Sequence, residues 1–209
     1  MVIPSVAARI VAEIIICRHG NTFDPGDTVT RVGGRTDLPL SRSGRAQADA
    51  LAEHFRMQAP IARAFSSPLL RTTQTLQTVL AAQADAPAIQ TRRFLTELDY
   101  GVDENRPEAE VAARIGEDAL RAWETDAVLP DGWRLDIDAL VESWRGFLSE
   151  QAALPGRTMV MTSNGVARFV FRALDEDPGM RSIKLKTGAY GALDSGPAGY
   201  RVAAWNIRP

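Results

Sequence analysis

Apolar positions along this chain switch between two periods, and the switching predicts its elements. Residues 11–17 form a β-branched apolar run, with Ile14, Ile15, Ile16 and Cys17 consecutive, that stops at Arg18. Apolar residues on both faces suit a strand buried inside a parallel sheet. Over 44–57, Ala48, Leu51, Ala52 and Phe55 recur at helical spacing, and Ser41 or Ser43 can cap the start. Residues 61–66 predict a short strand. Ser67 and Pro68 then read as cap and first residue of a helix over 68–83, with Leu69, Leu76, Val79 and Leu80 on its buried side. Residues 88–95 alternate as a strand would, and 107–125 read as helical up to the turn at Pro130, Asp131 and Gly132. Over 135–153, Leu140, Trp144, Phe147 and Leu148 share a helix face that ends at Pro155 and Gly156. An apolar strand over 158–162 breaks at Ser163, Asn164 and Gly165, a helix follows over 165–174, and two strands near 188–194 and 200–206 flank Ser195, Gly196 and Pro197.

Strand–helix alternation of this kind predicts an α/β layered fold. No repeat, low-complexity segment or linker interrupts it, so 1–209 is read as one domain. Apolar content of 45% and charged content of 24% are ordinary for a globular protein, and a net charge of −2 gives no basic footprint for nucleic acid. Cys17 is the single cysteine, which rules out an internal disulfide. No run of 18 apolar residues predicts a membrane span. Glu13 interrupts the apolar start, which also lacks a basic leader, so a short lead-in is read before the first strand and the expected location is cytoplasmic.

Chemistry concentrates where the first strand ends, at Arg18, His19, Gly20, Asn21 and Thr22. Ligands of open α/β sheets bind outside the carboxyl ends of the strands. A guanidinium offers a phosphate paired hydrogen bonds and a permanent charge. An imidazole beside it suits a nucleophile or a proton carrier near neutral pH. Gly20 lets the backbone approach a ligand. The following loop of about 20 residues is long enough to suggest function. Between residues 18 and 71, eight arginines (Arg31, Arg35, Arg42 and Arg45 among them) face five acidic residues, a local excess that draws anions.

Four segments, in order, resemble the histidine phosphatase superfamily, also called phosphoglycerate mutase-like: Arg18 to Thr22; Thr36 to Ser41 with Gly44, Gln47 and Ala48; Ser66 to Thr75; and Leu95 to Gly101. The resemblance implies a three-layer α/β/α fold, its central sheet mostly parallel with helices on both faces. It implies His19 as the residue that attacks phosphorus, Glu97 as proton donor and later base, and Arg18 and Arg71 as phosphate ligands. Arg71 would sit near a helix N-terminus, itself favourable to anions. Asn21, Ser163 and Asn164 complete the implied phosphate site. Ser163 stands where the family has a second histidine and Asn164 where a glycine follows it. The family's acidic residue after a Pro-Gly-Gly-type turn has no counterpart at Trp133 and Arg134, and Pro25 replaces a loop asparagine. Losing one oxyanion-type donor typically costs about 10²–10³ in rate, unless Arg35 or Arg168 substitutes.

The expected function is therefore a phosphomonoester hydrolase acting through a phosphohistidine on His19, slowed by the missing histidine. It needs no cofactor, and two isolated histidines offer no metal-ligand spacing. Mutase activity is disfavoured by the short segment from Glu97 to Trp133. A non-catalytic phospho-ligand binder or regulatory protein is the alternative, and a serine hydrolase using Ser163 in a strand–turn–helix elbow a distant one. The expected partner is a phosphorylated small molecule, with no nucleic acid and no membrane. The oligomeric state stays open, a homodimer being one option.

Overall fold

Strand β1 (Ala12–Arg18) sends its side chains alternately into two apolar layers: Ile14 and Ile16 enter one core, Ile15 and Cys17 the other. That is why the run shows no polar face. The computed structural model describes residues 12–175, 179 and 182–209, so the predicted lead-in lies outside the described residues. Around β1 the chain builds a six-stranded sheet in the order β3-β2-β4-β1-β5-β6. Strands β2 (Ile61–Ser66), β3 (Ile89–Thr91) and β4 (Gly156–Thr162) run parallel to β1, whereas β5 (Tyr190–Gly196) and β6 (Gly199–Ile207) form an antiparallel hairpin along its other side.

Helices cover both faces. On one, α1 (Arg42–Arg56) and α2 (Leu70–Ala81) bury Leu51, Phe55, Leu76 and Val79 against Ile15, Ala64 and Met161. On the other, α5 (Ile137–Ala152) buries Leu140, Trp144 and Phe147 against Ile14, Phe65 and Val160. The sheet is mostly parallel and the layers are three, as expected. Ser41 caps α1 by accepting the Gly44 N–H at 3.1 Å.

Four elements differ from expectation, each for a local reason. The helix expected from Pro68 begins at Leu70. Ser67 Oγ lies 2.6 Å from Thr72 Oγ1 and accepts the Leu69 N–H, and Asp37 Oδ1, from the long loop, accepts the Leu70 N–H at 2.6 Å. The strand expected over 88–95 stops at Thr91, because the chain turns into a 3₁₀ segment, Arg93–Leu95, that carries Leu95 inward; the Leu95 carbonyl accepts from Thr162 Oγ1 at 2.6 Å. The helical region over 107–125 divides into α3 (Glu108–Ile115) and α4 (Glu117–Asp126), where Gly116 adopts a φ of +83°. The helix over 165–174 is a single turn, α6 (Asn164–Ala167), followed by a 3₁₀ run, Arg168–Ala173. Residues 164–170 are buried all round, so no one-faced helical period governs them.

The parallel strands end side by side. Arg18 pairs in register with Thr162, and Ser66 with Met161. Whatever follows these three strands therefore meets at one edge of the sheet. Among the described residues no helix is long and apolar enough to cross a membrane.

Candidate active site

His19 leaves β1 with its N–H donating to the Thr162 carbonyl at the end of β4, 3.2 Å away. The next turn must pass tightly over α1: a Cβ on Gly20 would lie 2.2 Å from the Gly44 carbonyl oxygen. This close approach fixes the imidazole. Its Nδ1 lies 2.7 Å from the Gly20 carbonyl, an acceptor only, which assigns the proton to Nδ1 and leaves a lone pair on Nε2. Arg71 Nε donates to that lone pair at 3.2 Å. The ring is 6% exposed, and burial first, then the Arg71 and Arg18 charges, hold its pKa well below the usual 6.5. A neutral imidazole can act as a nucleophile through Nε2 once a ligand takes over the Arg71 hydrogen bond.

Two guanidiniums flank it. Arg18 ends β1, with Nη1 donating to the Leu185 carbonyl at 3.0 Å and Nε buried without a partner. Arg71, in the first turn of α2, is 1% exposed and anchored by the Thr36 and Gly33 carbonyls at 2.9 and 3.2 Å. Burial lowers both arginine pKa values, and the nearby Glu97 charge opposes the shift. Most of Arg18's donors and two of Arg71's remain for a ligand. Glu97 follows the Arg93–Leu95 turn. Its Oε1 accepts the Leu98 N–H at 3.1 Å and its Oε2 the Gly165 N–H at 3.2 Å.

Arg18, His19, Asn21, Arg71 and Glu97 line one cavity of ≈ 330 Å³. Asn21 is braced by Ser43 Oγ, which accepts from Nδ2 at 3.2 Å, and by Gln47, which accepts its N–H at 2.8 Å. Two of the residues expected at the phosphate are not among the cavity's lining. Asn164 Oδ1 accepts the Leu185 N–H at 2.8 Å, and the Leu185 carbonyl in turn holds Arg18, so Asn164 braces Arg18 from behind. Ser163 is fully buried, and its Oγ has no hydrogen-bond partner. A nucleophile elbow displays an exposed serine hydroxyl, and Ser163 shows none.

Neither arginine considered as a substitute reaches the cavity. Arg35 is exposed and bonded to Asp99 at 2.8 Å. Arg168 is buried with its guanidinium 4.5 Å from the Trp123 ring centre, and it donates to the Trp123 carbonyl. The lining instead includes Arg31, Tyr100 and Glu108. Arg31 belonged to the arginine-rich loop but carried no distinguishing local signal, and Glu108 carried none. Burial raises the Glu108 pKa against the opposing Arg31 charge. Among the described residues no cluster of histidine, cysteine and carboxylate side chains could hold a metal ion.

An imidazole flanked by two guanidiniums thus shares a cavity with a carboxylate at the carboxyl ends of a mostly parallel sheet. The chain belongs to the histidine phosphatase superfamily (branch 1), whose family model matches residues 14–208. It is 37% identical over 115 residues to a 2,3-bisphosphoglycerate-dependent phosphoglycerate mutase of Gloeobacter violaceus, a match covering 54% of this chain and about half, 51%, of that relative's length. It is 29% identical over 165 residues to phosphoglycerate mutase-like protein 4 of Arabidopsis thaliana, covering 77% and 70% of the two chains. In fold it is similar to a mycobacterial glucosyl-3-phosphoglycerate phosphatase, with a TM-score of 0.74, 21% identity and coverage of 94% of this chain and 99% of that one.

Proposed function

We propose that the protein hydrolyses phosphomonoesters through a phosphohistidine on His19. The observation that carries this reading is the setting of His19: its Nδ1 committed to the Gly20 carbonyl, its Nε2 met by Arg71 Nε, and its ring lining a cavity that Arg18, Arg71 and Glu97 also line. A phosphate dianion replaces the Arg71–His19 contact and is matched by the two guanidinium charges. His19 Nε2 then attacks phosphorus, the bond to the alcohol oxygen breaks, and Glu97 gives that oxygen its proton. In the second step Glu97, now a carboxylate, takes a proton from water as the water oxygen attacks phosphorus. The phosphorus–nitrogen bond breaks and inorganic phosphate leaves. The developing charge on the transferred group is held by Arg18 and Arg71. No step calls for a metal or a cofactor. With Ser163 in place of the family's second histidine, one charged ligand is absent, and turnover is expected to be slow for the family.

The test is retention of label. Protein mixed with a ³²P-labelled phosphomonoester and denatured in alkali, where phosphohistidine survives, should carry label on His19. His19→Ala should carry none and lose turnover by about a thousandfold or more. Turnover by wild type that survives in His19→Ala would overturn the reading. Binding of phosphate without turnover would instead place the protein among non-catalytic phospho-ligand binders.

A further inference from the structure

The cavity has two halves of different electrostatic character. The inner half holds two guanidinium charges around the His19 imidazole, with the Glu97 carboxyl beside them, a setting that favours an anion. The outer half holds one arginine and one carboxylate, ion-paired to each other: Arg31 and Glu108. Their net charge is zero. Beside them the wall is apolar, made by Phe23, Val29, Val32 and the Tyr100 ring.

This outer wall is prebuilt. The long loop pairs with the segment leading into α3: Arg31 N–H donates to the Arg106 carbonyl at 2.8 Å, Asn105 N–H to the Arg31 carbonyl at 2.8 Å, and Glu108 N–H to the Val29 carbonyl at 3.1 Å. The Arg31 guanidinium is stacked 5.3 Å from the Tyr100 and 5.0 Å from the Trp133 ring centres, and its side chain is 13% exposed. Among the described residues its only hydrogen bond from the guanidinium goes to Glu108, and its Nε is buried without a partner. Donors thus stand next to acceptor oxygens in a fixed frame.

We infer that the Arg31–Glu108 pair reads the alcohol half of the substrate and selects phosphomonoesters of neutral polyhydroxy alcohols over those of hydroxy acids. The inference rests on the hydrolase reading of the inner site. Adjacent hydroxyls both give and accept hydrogen bonds, so they match an arginine beside a carboxylate, and their carbon skeleton packs on the apolar wall. A carboxylate on the substrate meets no unbalanced positive charge at this pair. To reach Arg31 it must displace Glu108 and then lie beside it, and like charges juxtaposed at close range are unfavourable.

Glycerol 3-phosphate and 3-phosphoglycerate form a matched pair, with a hydroxymethyl group in one replaced by a carboxylate in the other. Wild type should favour glycerol 3-phosphate in kcat/KM by about tenfold or more. Glu108→Gln frees Arg31 and should shift the ratio toward 3-phosphoglycerate by about tenfold, whereas Arg31→Met leaves Glu108 alone and should shift it the other way. Each ratio is taken within one variant, so partial unfolding cancels, and a merely structural role moves both variants alike. Wild-type preference for 3-phosphoglycerate, or ratios unchanged or shifted together in the two variants, would overturn the inference. Dissociation constants for both ligands, measured calorimetrically in a His19→Ala background, give the same ratios without turnover. Failure of the hydrolase reading shows instead as absent label or His19-independent hydrolysis of p-nitrophenyl phosphate.

Discussion

Glu97 is held in place by a residue that has no side chain. Its Oε2 accepts the Gly165 N–H, and a Cβ at position 165 would lie 2.1 Å from Glu97 Oε1 and 2.6 Å from Leu98 Cδ2. Gly165→Ala must therefore move the carboxylate, while Arg18 and Arg71 keep their own anchors. A misplacement of about 1 Å can cost on the order of a hundredfold in rate. The loss should depend on the leaving group. An alkyl phosphate, whose alkoxide would take the proton that the proposed mechanism assigns to Glu97, should lose about a hundredfold in kcat/KM, and p-nitrophenyl phosphate, whose phenolate leaves without help, far less. Steady-state kinetics on the two substrates checks this, and equal losses would separate Gly165 from the proton transfer. The His19, Arg71 and Glu97 positions were legible in the sequence because each lies in a short segment that joins a strand end or turn to its own signature. Asn164 was legible as part of the site but not in its place, because its partner Leu185 lies 21 residues later, in the irregular segment before β5.

At the scale of elements, the phosphate site depends on how α2 begins. Its first N–H groups lack a local cap, and Asp37 supplies one from the long loop by accepting from Leu70, the residue before Arg71. The same loop supplies the Gly33 and Thr36 carbonyls that hold the Arg71 guanidinium. Asp37→Ala should cost about 0.5–2 kcal/mol, as loss of a helix N-cap does, and weaken inhibition by inorganic phosphate as Arg71 loosens. Asp37→Asn, an equally good cap, should keep most of both. Urea unfolding and phosphate inhibition constants for the two variants decide it, and equal behaviour of alanine and asparagine would deny the cap its role. This dependence explains which elements could be read in advance. Helices α1 and α5 carry their own caps, at Ser41 and Asp136, and one apolar face each, so their bounds came out within a few residues. The start of α2 came out as closely, but the source of its cap, 33 residues away, did not emerge. Nor did the Arg31–Glu108 wall, whose partners are 77 residues apart and meet only through loop pairing.

Across the whole molecule, the buried His19 is also a pH-dependent cost to the fold. The folded site holds the His19 pKa well below 6.5 by burial and by two guanidinium charges, whereas in the unfolded chain the same ring takes up a proton near pH 6.5. As pH falls below about 6.5 the unfolded state binds a proton that the folded state refuses, so folding stability declines, by up to about 1.4 kcal/mol per pH unit for one group, until the folded pKa is reached. Above about pH 7.5 both states are neutral at this ring and the contribution is flat. His54 is shifted in the same direction, by burial and then by Arg157, so the total slope is not His19's alone. The difference between wild type and His19→Asn isolates it, because His54 and the carboxylates contribute to both. Denaturant unfolding from pH 8 to pH 5 should give a constant difference at the alkaline end and one that moves steadily in the variant's favour below about pH 6.5. A difference that stays flat throughout would mean that the folded site accepts the proton, and that the neutral imidazole on which the proposed phosphohistidine chemistry depends is not secured by the fold.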